Sequence, residues 1–175
     1  MAVIRTLNGA ENSDVEIVPI SERYIEGYHR CLDSVAREIK YLGFVKAPSI
    51  ESSKKFVSSN IENDVPQFVA LKGDEVIGWC DIVPGKREGL THCGTLGMGV
   101  HKDHRRRGIG TRLMERTLEE AKVQNIERVE LEVYASNSPA INLYEKRGFV
   151  REGVKIKARK LDGVYDDIIV MALFI

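Results

Sequence analysis

Arg105-Arg106-Arg107-Gly108-Ile109-Gly110-Thr111 gathers three guanidiniums and two glycines within seven residues, a composition suited to holding an anion. Gly108 and Gly110 carry no Cβ, so a ligand can come close to the backbone. The residues that follow, 109 to 123, place Ile109, Leu113, Met114, Leu118 and Ala121 on one face and Arg112, Arg116, Glu119, Glu120 and Lys122 around the rest, the pattern of an amphipathic helix. A helix start presents unpaired N–H groups and the positive end of a dipole worth roughly half a charge. The spacing therefore predicts a phosphate or pyrophosphate site, with the arginines adding charge-assisted contacts. Two better-known phosphate loops are excluded. A Walker A loop needs Gly-Lys-Ser/Thr, and the dinucleotide fingerprint needs a third glycine where Leu113 stands and a first Rossmann strand before it.

The loop must be carried by the elements around it. Residues 93 to 100 read as the strand that leads into it. Upstream, Val15, Ile17 and Ile20 suggest a first strand, Ser21 an N-cap for a helix over residues 22 to 39, and Pro48-Ser49 a break before a second helix that Asn63-Asp64 and Pro66 end. Residues 68–71 and 76–80 flank Lys72-Gly73-Asp74-Glu75 and predict a β-hairpin. Downstream, Val129, Leu131 and Val133 alternate with Glu130, Glu132 and Tyr134 as in a half-buried strand. Pro139 suits the first turn of a helix that Ser138 or Asn137 can cap and Gly148 closes. Two final strands, from Phe149 onward and from Tyr165 to Phe174, meet at the Leu161-Asp162-Gly163-Val164 turn, completing an α/β domain with a mixed sheet. Residues 1 to 13 have no periodicity and are expected to form a flexible tail, leaving 14–175 as a single domain.

Composition narrows the class of protein. With 43% apolar and 30% charged residues over 175 positions, the chain can bury roughly 70% of its unfolded surface without disulfides or a structural metal. Lys plus Arg and Asp plus Glu both number 26, which argues against nucleic acid or an anionic membrane as the main partner. The cysteines, Cys31, Cys80 and Cys93, lie far apart with no metal-ligand spacing, so no metal site is expected and all three are read as buried thiols. No run approaches 18 consecutive apolar residues and no basic segment precedes an apolar core at the N-terminus, so a cytoplasmic location is expected.

The phrase from Val100 to Gly110 resembles the R-x-x-G-x-G/A acyl-CoA signature of GNAT N-acetyltransferases, and is most like the phosphinothricin and L-amino-acid acetyltransferase branch. Thirty residues on, Asn137 to Phe149 is similar to that family's N-x-x-A-x-x-L-Y-x-x-x-G-F segment. The resemblance covers about residues 14 to 175. It implies a central mixed, mostly antiparallel sheet of about seven strands, flanked by about four helices and splayed between strands four and five. It implies acetyl-CoA as cosubstrate and no metal. Met98, Gly99 and Val100 would meet pantetheine through the backbone. Arg105, Arg106, Arg107, Gly108, Ile109, Gly110 and Thr111 would cradle the pyrophosphate. Asn137, Ala140, Asn142 and Tyr144 would complete the coenzyme site.

What the resemblance implies chemically is direct attack of a neutral primary amine on the thioester. Tyr144 would be the catalytic acid: with a reference pKa near 10 it holds a proton to give to the departing thiolate. A backbone N–H near Met98 to Val100 would steady the oxyanion. The general base stays open among His92, Asp81 and Glu132, which all read as strand-surface residues. Acceptor choice is assigned to residues 40 to 49 and 158 to 167, where Asp166 and Asp167 could attract a cation. The expected acceptor is a small-molecule amine, an amino acid or analogue. A polyamine or protein N-terminal acetyltransferase and a non-catalytic acyl-CoA sensor are the alternatives, and a homodimer is left open.

Overall fold

The computed structural model describes residues 14–175, so the tail expected over residues 1 to 13 lies outside the described residues. Seven strands form one open sheet in the order β1-β2-β3-β4-β5-β7-β6. They are β1 (Val15–Pro19), β2 (Gln67–Lys72), β3 (Glu75–Pro84), β4 (Cys93–Val100), β5 (Arg128–Tyr134), β6 (Val150–Leu161) and β7 (Val164–Phe174). The α-helices are α1 (Ile25–Ala36), α2 (Ile50–Glu62), α3 (Ile109–Val123) and α4 (Ser138–Lys146). Every strand pair is antiparallel except β4 with β5, which α3 connects as a crossover. The mixed sheet and four helices expected from the resemblance are what the structure contains.

Local chemistry explains the elements. Ser49 accepts a hydrogen bond from the Ser52 amide at 3.2 Å and starts α2; Asn137 does the same for α4, taking the Ala140 amide, with Pro139 in the first turn. Gly73, in the tight β2–β3 turn, and Gly163, after Asp162 in the β6–β7 turn, have φ of 58° and 81°, the left-handed conformation such hairpins need. Ser21 precedes the first helical segment but its hydroxyl makes no cap bond. The single helix expected over 22 to 39 is a 3-10 turn (Glu22–Tyr24) followed by the shorter α1. Beyond Ala36 the chain turns away, with Ile39 at φ 59°, and Glu38 accepts from an arginine of the β4–α3 loop.

Two apolar layers sandwich the sheet. On one side α3 and α4 bury Ile109, Leu113, Met114, Ile141 and Tyr144 against Ile77, Ile82, Leu131 and Met171. On the other, α1 and α2 bury Tyr28, Leu32, Val35 and Val57 against Val69 and Trp79. Cys31 and Cys80 are buried as expected, but Cys93, at the first position of β4, is only half-buried. Among the described residues no helix is long and apolar enough to cross a membrane.

Trp79 lies directly over Gly99 of β4: a Cβ there would fall 2.3 Å from its Cη2. Gly99→Ala should destabilise the fold by about 1–3 kcal/mol, read as a lower chemical-denaturation midpoint at unchanged slope.

Candidate functional site

Strands β4 and β5 are paired for three residues only, Cys93↔Arg128, Gly94↔Val129 and Thr95↔Glu130. Beyond Thr95 the prongs part, and a cavity of about 730 Å³ occupies the fork, large enough for a substantial ligand. Leu96 to Val100 line one prong and Glu132 and Val133 the other. The same cavity reaches Val35, Tyr41 and Leu42 on the α1 side and Ala140, Leu143 and Tyr144 on the α4 side, so it passes through the sheet. The backbone of β4 is freed on this edge to bond an extended ligand in place of a strand.

At one end of the cavity stands the basic glycine loop. Gly108, with φ 75° and ψ 0°, is the N-cap of α3 and supplies no side-chain cap bond, so the first amides of the helix remain free for a ligand. Arg106 is also left-handed, at φ 61°. Alternating hand over successive residues turns their N–H groups toward one point, the geometry of an anion nest. Arg106, Gly108, Ile109, Gly110 and Thr111 all line the cavity. A Cβ on Gly110 would meet Met98 at 3.2 Å and Leu143 at 3.6 Å, so that glycine lets α3 settle against β4 and α4.

Three expected coenzyme residues are placed differently. Arg105 lines the cavity, but its guanidinium is committed to both carboxylate oxygens of Glu38, to the Val100 carbonyl at 2.8 Å and to the face of Tyr41 at 4.7 Å. It ties the segment after α1 to the loop. Arg107 is exposed and outside the cavity wall, one position before the cap of α3. Asn142 faces solvent on α4 and does not line the cavity, while Asn137 does. Lys102 and His104, within the Val100–Gly110 phrase but not singled out there, also line the cavity, as do Tyr41 and Leu42 of the 40 to 49 segment; Glu38, which lies in no motif, was missed.

Tyr144 is 8% exposed, packs against Phe149 at 5.6 Å between ring centres, and reaches the cavity from the α4 side. Burial pushes its phenol above the usual tyrosine range, which keeps the proton on it. Of the three candidate bases, Glu132 alone lines the cavity; it is ion-paired with Lys155 of β6. His92 is exposed, outside the wall. Asp81 overturns the expectation of a surface residue: it is 7% exposed, on the α1 side of β3. Asp166 and Asp167 have internal partners, Ser136 Oγ at 2.6 Å and the Lys157 amide at 2.7 Å, and neither lines the cavity.

A family model described as the acetyltransferase (GNAT) family matches residues 35–149. The chain belongs to this family. Among similar proteins, an N-alpha-acetyltransferase of Sulfurisphaera tokodaii is 41% identical over 105 residues, covering 54% of this chain and 62% of that one. The chain thus spans less than two thirds of that relative's length. The L-amino acid N-acetyltransferase AaaT of Escherichia coli is 32% identical over 109 residues, covering 62% of this chain and 67% of that one. Solved structures agree in fold. A GNAT acetyltransferase from Streptococcus pneumoniae superposes with a TM-score of 0.86 at 23% identity, over 92% of this GNAT chain and 99% of that one. A phosphinothricin acetyltransferase from Sinorhizobium meliloti in complex with AcCoA superposes with a TM-score of 0.86 at 15% identity, over 93% and 89%.

Because Gly108 is left-handed, a β-branched side chain there is strained as well as obstructive. Gly108→Val should weaken acetyl-CoA binding at least tenfold by calorimetry. Asp81 yields a pH dependence. Burial raises its carboxyl to about 7, whereas an unfolded aspartate ionises near pH 3.9. The folded state is therefore disfavoured on this group's account as pH rises from about 4 to about 7. Asp81→Asn should be more thermostable than the parent at pH 8, with the difference vanishing near pH 4 in melting experiments.

Proposed function

We propose that this GNAT protein transfers an acetyl group from acetyl-CoA to the primary amine of a small molecule, an amino acid or analogue. The observation that carries the reading is the continuity of one cavity from the loop at Gly108 to Tyr144, through the fork between β4 and β5. The cosubstrate supplies an activated thioester. Arg106, Gly108, Ile109, Gly110 and Thr111 hold its pyrophosphate; Met98, Gly99 and Val100 hold the pantetheine arm by their backbone groups. Asn137 and Ala140 close the wall beside it. A β4 amide in the same stretch steadies the carbonyl oxygen as it gains charge.

Tyr144 is the general acid of this reading. Its raised pKa keeps the hydroxyl protonated throughout the neutral range, ready to donate to the leaving sulfur. The amine enters from the α1 side, where Tyr41, Leu42 and Glu132 form the mouth. Glu132, paired with Lys155, presents a carboxylate to an ammonium ion, and Arg159, stacked 4.4 Å over Tyr134, presents positive charge to an acceptor that also carries a carboxylate. A free amino acid has both groups. A polyamine has only cations, which this rim disfavours.

A protein N-terminus is a second reading, favoured by similarity to the Sulfurisphaera tokodaii N-alpha-acetyltransferase. Thiol release from acetyl-CoA, measured across free amino acids, their methyl esters, polyamines and N-terminal peptides, separates the two. Free amino acids should outrun their esters about tenfold or more; peptides outrunning both would overturn the small-molecule acceptor. In the same assay Tyr144→Phe should cut kcat by about 10²- to 10⁴-fold with acetyl-CoA affinity little changed.

A further inference from the structure

The α1-facing side of the sheet is apolar along β2 and β3 except in one transverse row. Gln67 of β2 pairs with Asp81 of β3, and Asp81 pairs with Gly97 of β4. Thr95 pairs with Glu130 just before the fork, so Glu132, two residues on, stands level with Gly97 on the other prong. Cross-strand neighbours share a face, with Cβ atoms about 5 Å apart. Asp81 is buried, with 7% of its surface exposed, and among the described residues no donor bonds its carboxylate. Beside it, Gln67 Nε2 is buried without a partner, while Gln67 Oε1 accepts from Asn60 at 2.9 Å.

A buried carboxyl without a hydrogen-bond partner is costly, and this one lies against an opening. A Cβ on Gly97 would sit 3.2 Å from Asp81 Oδ1. The missing side chain leaves the carboxyl next to the β4 backbone that lines the cavity. The unpaired Gln67 N–H stands on the other flank, on the residue paired with Asp81 across β2 and β3.

We propose that Asp81 is the proton acceptor for the incoming amine, reached through water across Gly97, while Glu132 on the opposite prong holds the ammonium. An N–H bond of the ammonium breaks, its proton passes to the Asp81 carboxylate, and the electron pair stays on nitrogen to form the new N–C bond. As the C–S bond breaks, its electrons leave on sulfur, which takes the Tyr144 proton. The second proton lost by nitrogen restores Tyr144, and Asp81 releases its proton to water. One proton is released per acetyl group transferred.

The electrostatic setting is compatible with this role. α1 presents Tyr28, itself close to Cys31, β2 presents Gln67, β4 presents Gly97 opposite it with Cys93 four residues earlier on the same face, and the far prong presents Glu132. With no cation facing it, burial raises the carboxyl to about 7, so it can take up and release a proton near neutrality.

The inference rests on amine acetylation as the activity, but not on which amine is the acceptor. The first readout needs no turnover: infrared difference spectra of the parent against Asp81→Asn, titrated from about pH 5 to 9. A carboxylic acid band absent from the variant should disappear near pH 7 and shift when ethylammonium chloride is added with CoA; a band that does neither overturns the proposal. The second is kcat/KM against pH with the fastest acceptor. Asp81→Asn should lose about 10²-fold or more at pH 7 and the rise around that pH, with acetyl-CoA affinity intact; Glu132→Gln should mainly raise the KM of the amine. An Asp81→Asn enzyme with the parent's rate and pH profile contradicts the proposal. If no amine reacts, the acetylation reading fails, and the infrared titration still decides Asp81.

Discussion

The parting of β4 from β5 after three paired residues is the constraint on which the site depends. A sheet that stayed zipped would satisfy the β4 backbone internally and leave no passage from one face to the other. Once parted, the strand must be supported otherwise, and its composition shows how. Gly97 and Gly99 give up their side chains so that Asp81 and Trp79 of β3 cover the strand from the α1 side. Met98 and Val100 turn to the α3 side and pack against the main core.

An opened fork needs its walls fixed in relation to one another, and three polar ties do this. Arg105 joins the β4–α3 loop to Glu38, beyond the end of α1. Asp33 of α1 takes the Ala47 amide at 3.0 Å and pairs with Arg37, anchoring the connection to α2; the Arg37 guanidinium, with that amide, holds its carboxyl below the usual range. Arg159 bonds the Ile39 carbonyl and stacks on Tyr134, so the final hairpin and the α1–α2 segment meet over the same mouth. The mouth of the cavity is thus framed by segments far apart in the chain.

Residues placed by local geometry were legible in the sequence. The glycine loop, the α4 cap at Asn137 and Tyr144 sit in short motifs whose meaning depends only on a strand before and a helix after. Residues that act through tertiary register were not. Nothing around Arg105 reveals that Glu38, 67 residues away, claims its guanidinium. Asp81 read as a surface aspartate because its burial comes from α1 packing over β3 and from a glycine on the neighbouring strand. Helix α1 ends at Ala36, and two residues on Glu38 pairs with Arg105 of the distant loop, a tertiary contact that local propensity does not reveal.

Backbone amide hydrogen exchange with and without acetyl-CoA tests the central claim, that the fork and the loop before α3 hold one ligand together. Slower exchange is predicted at Gly97 to Val100 and at Gly108 to Arg112 in the same titration, with a common midpoint. Protection confined to one of the two segments, or absent from both while acetyl-CoA demonstrably binds, would contradict it.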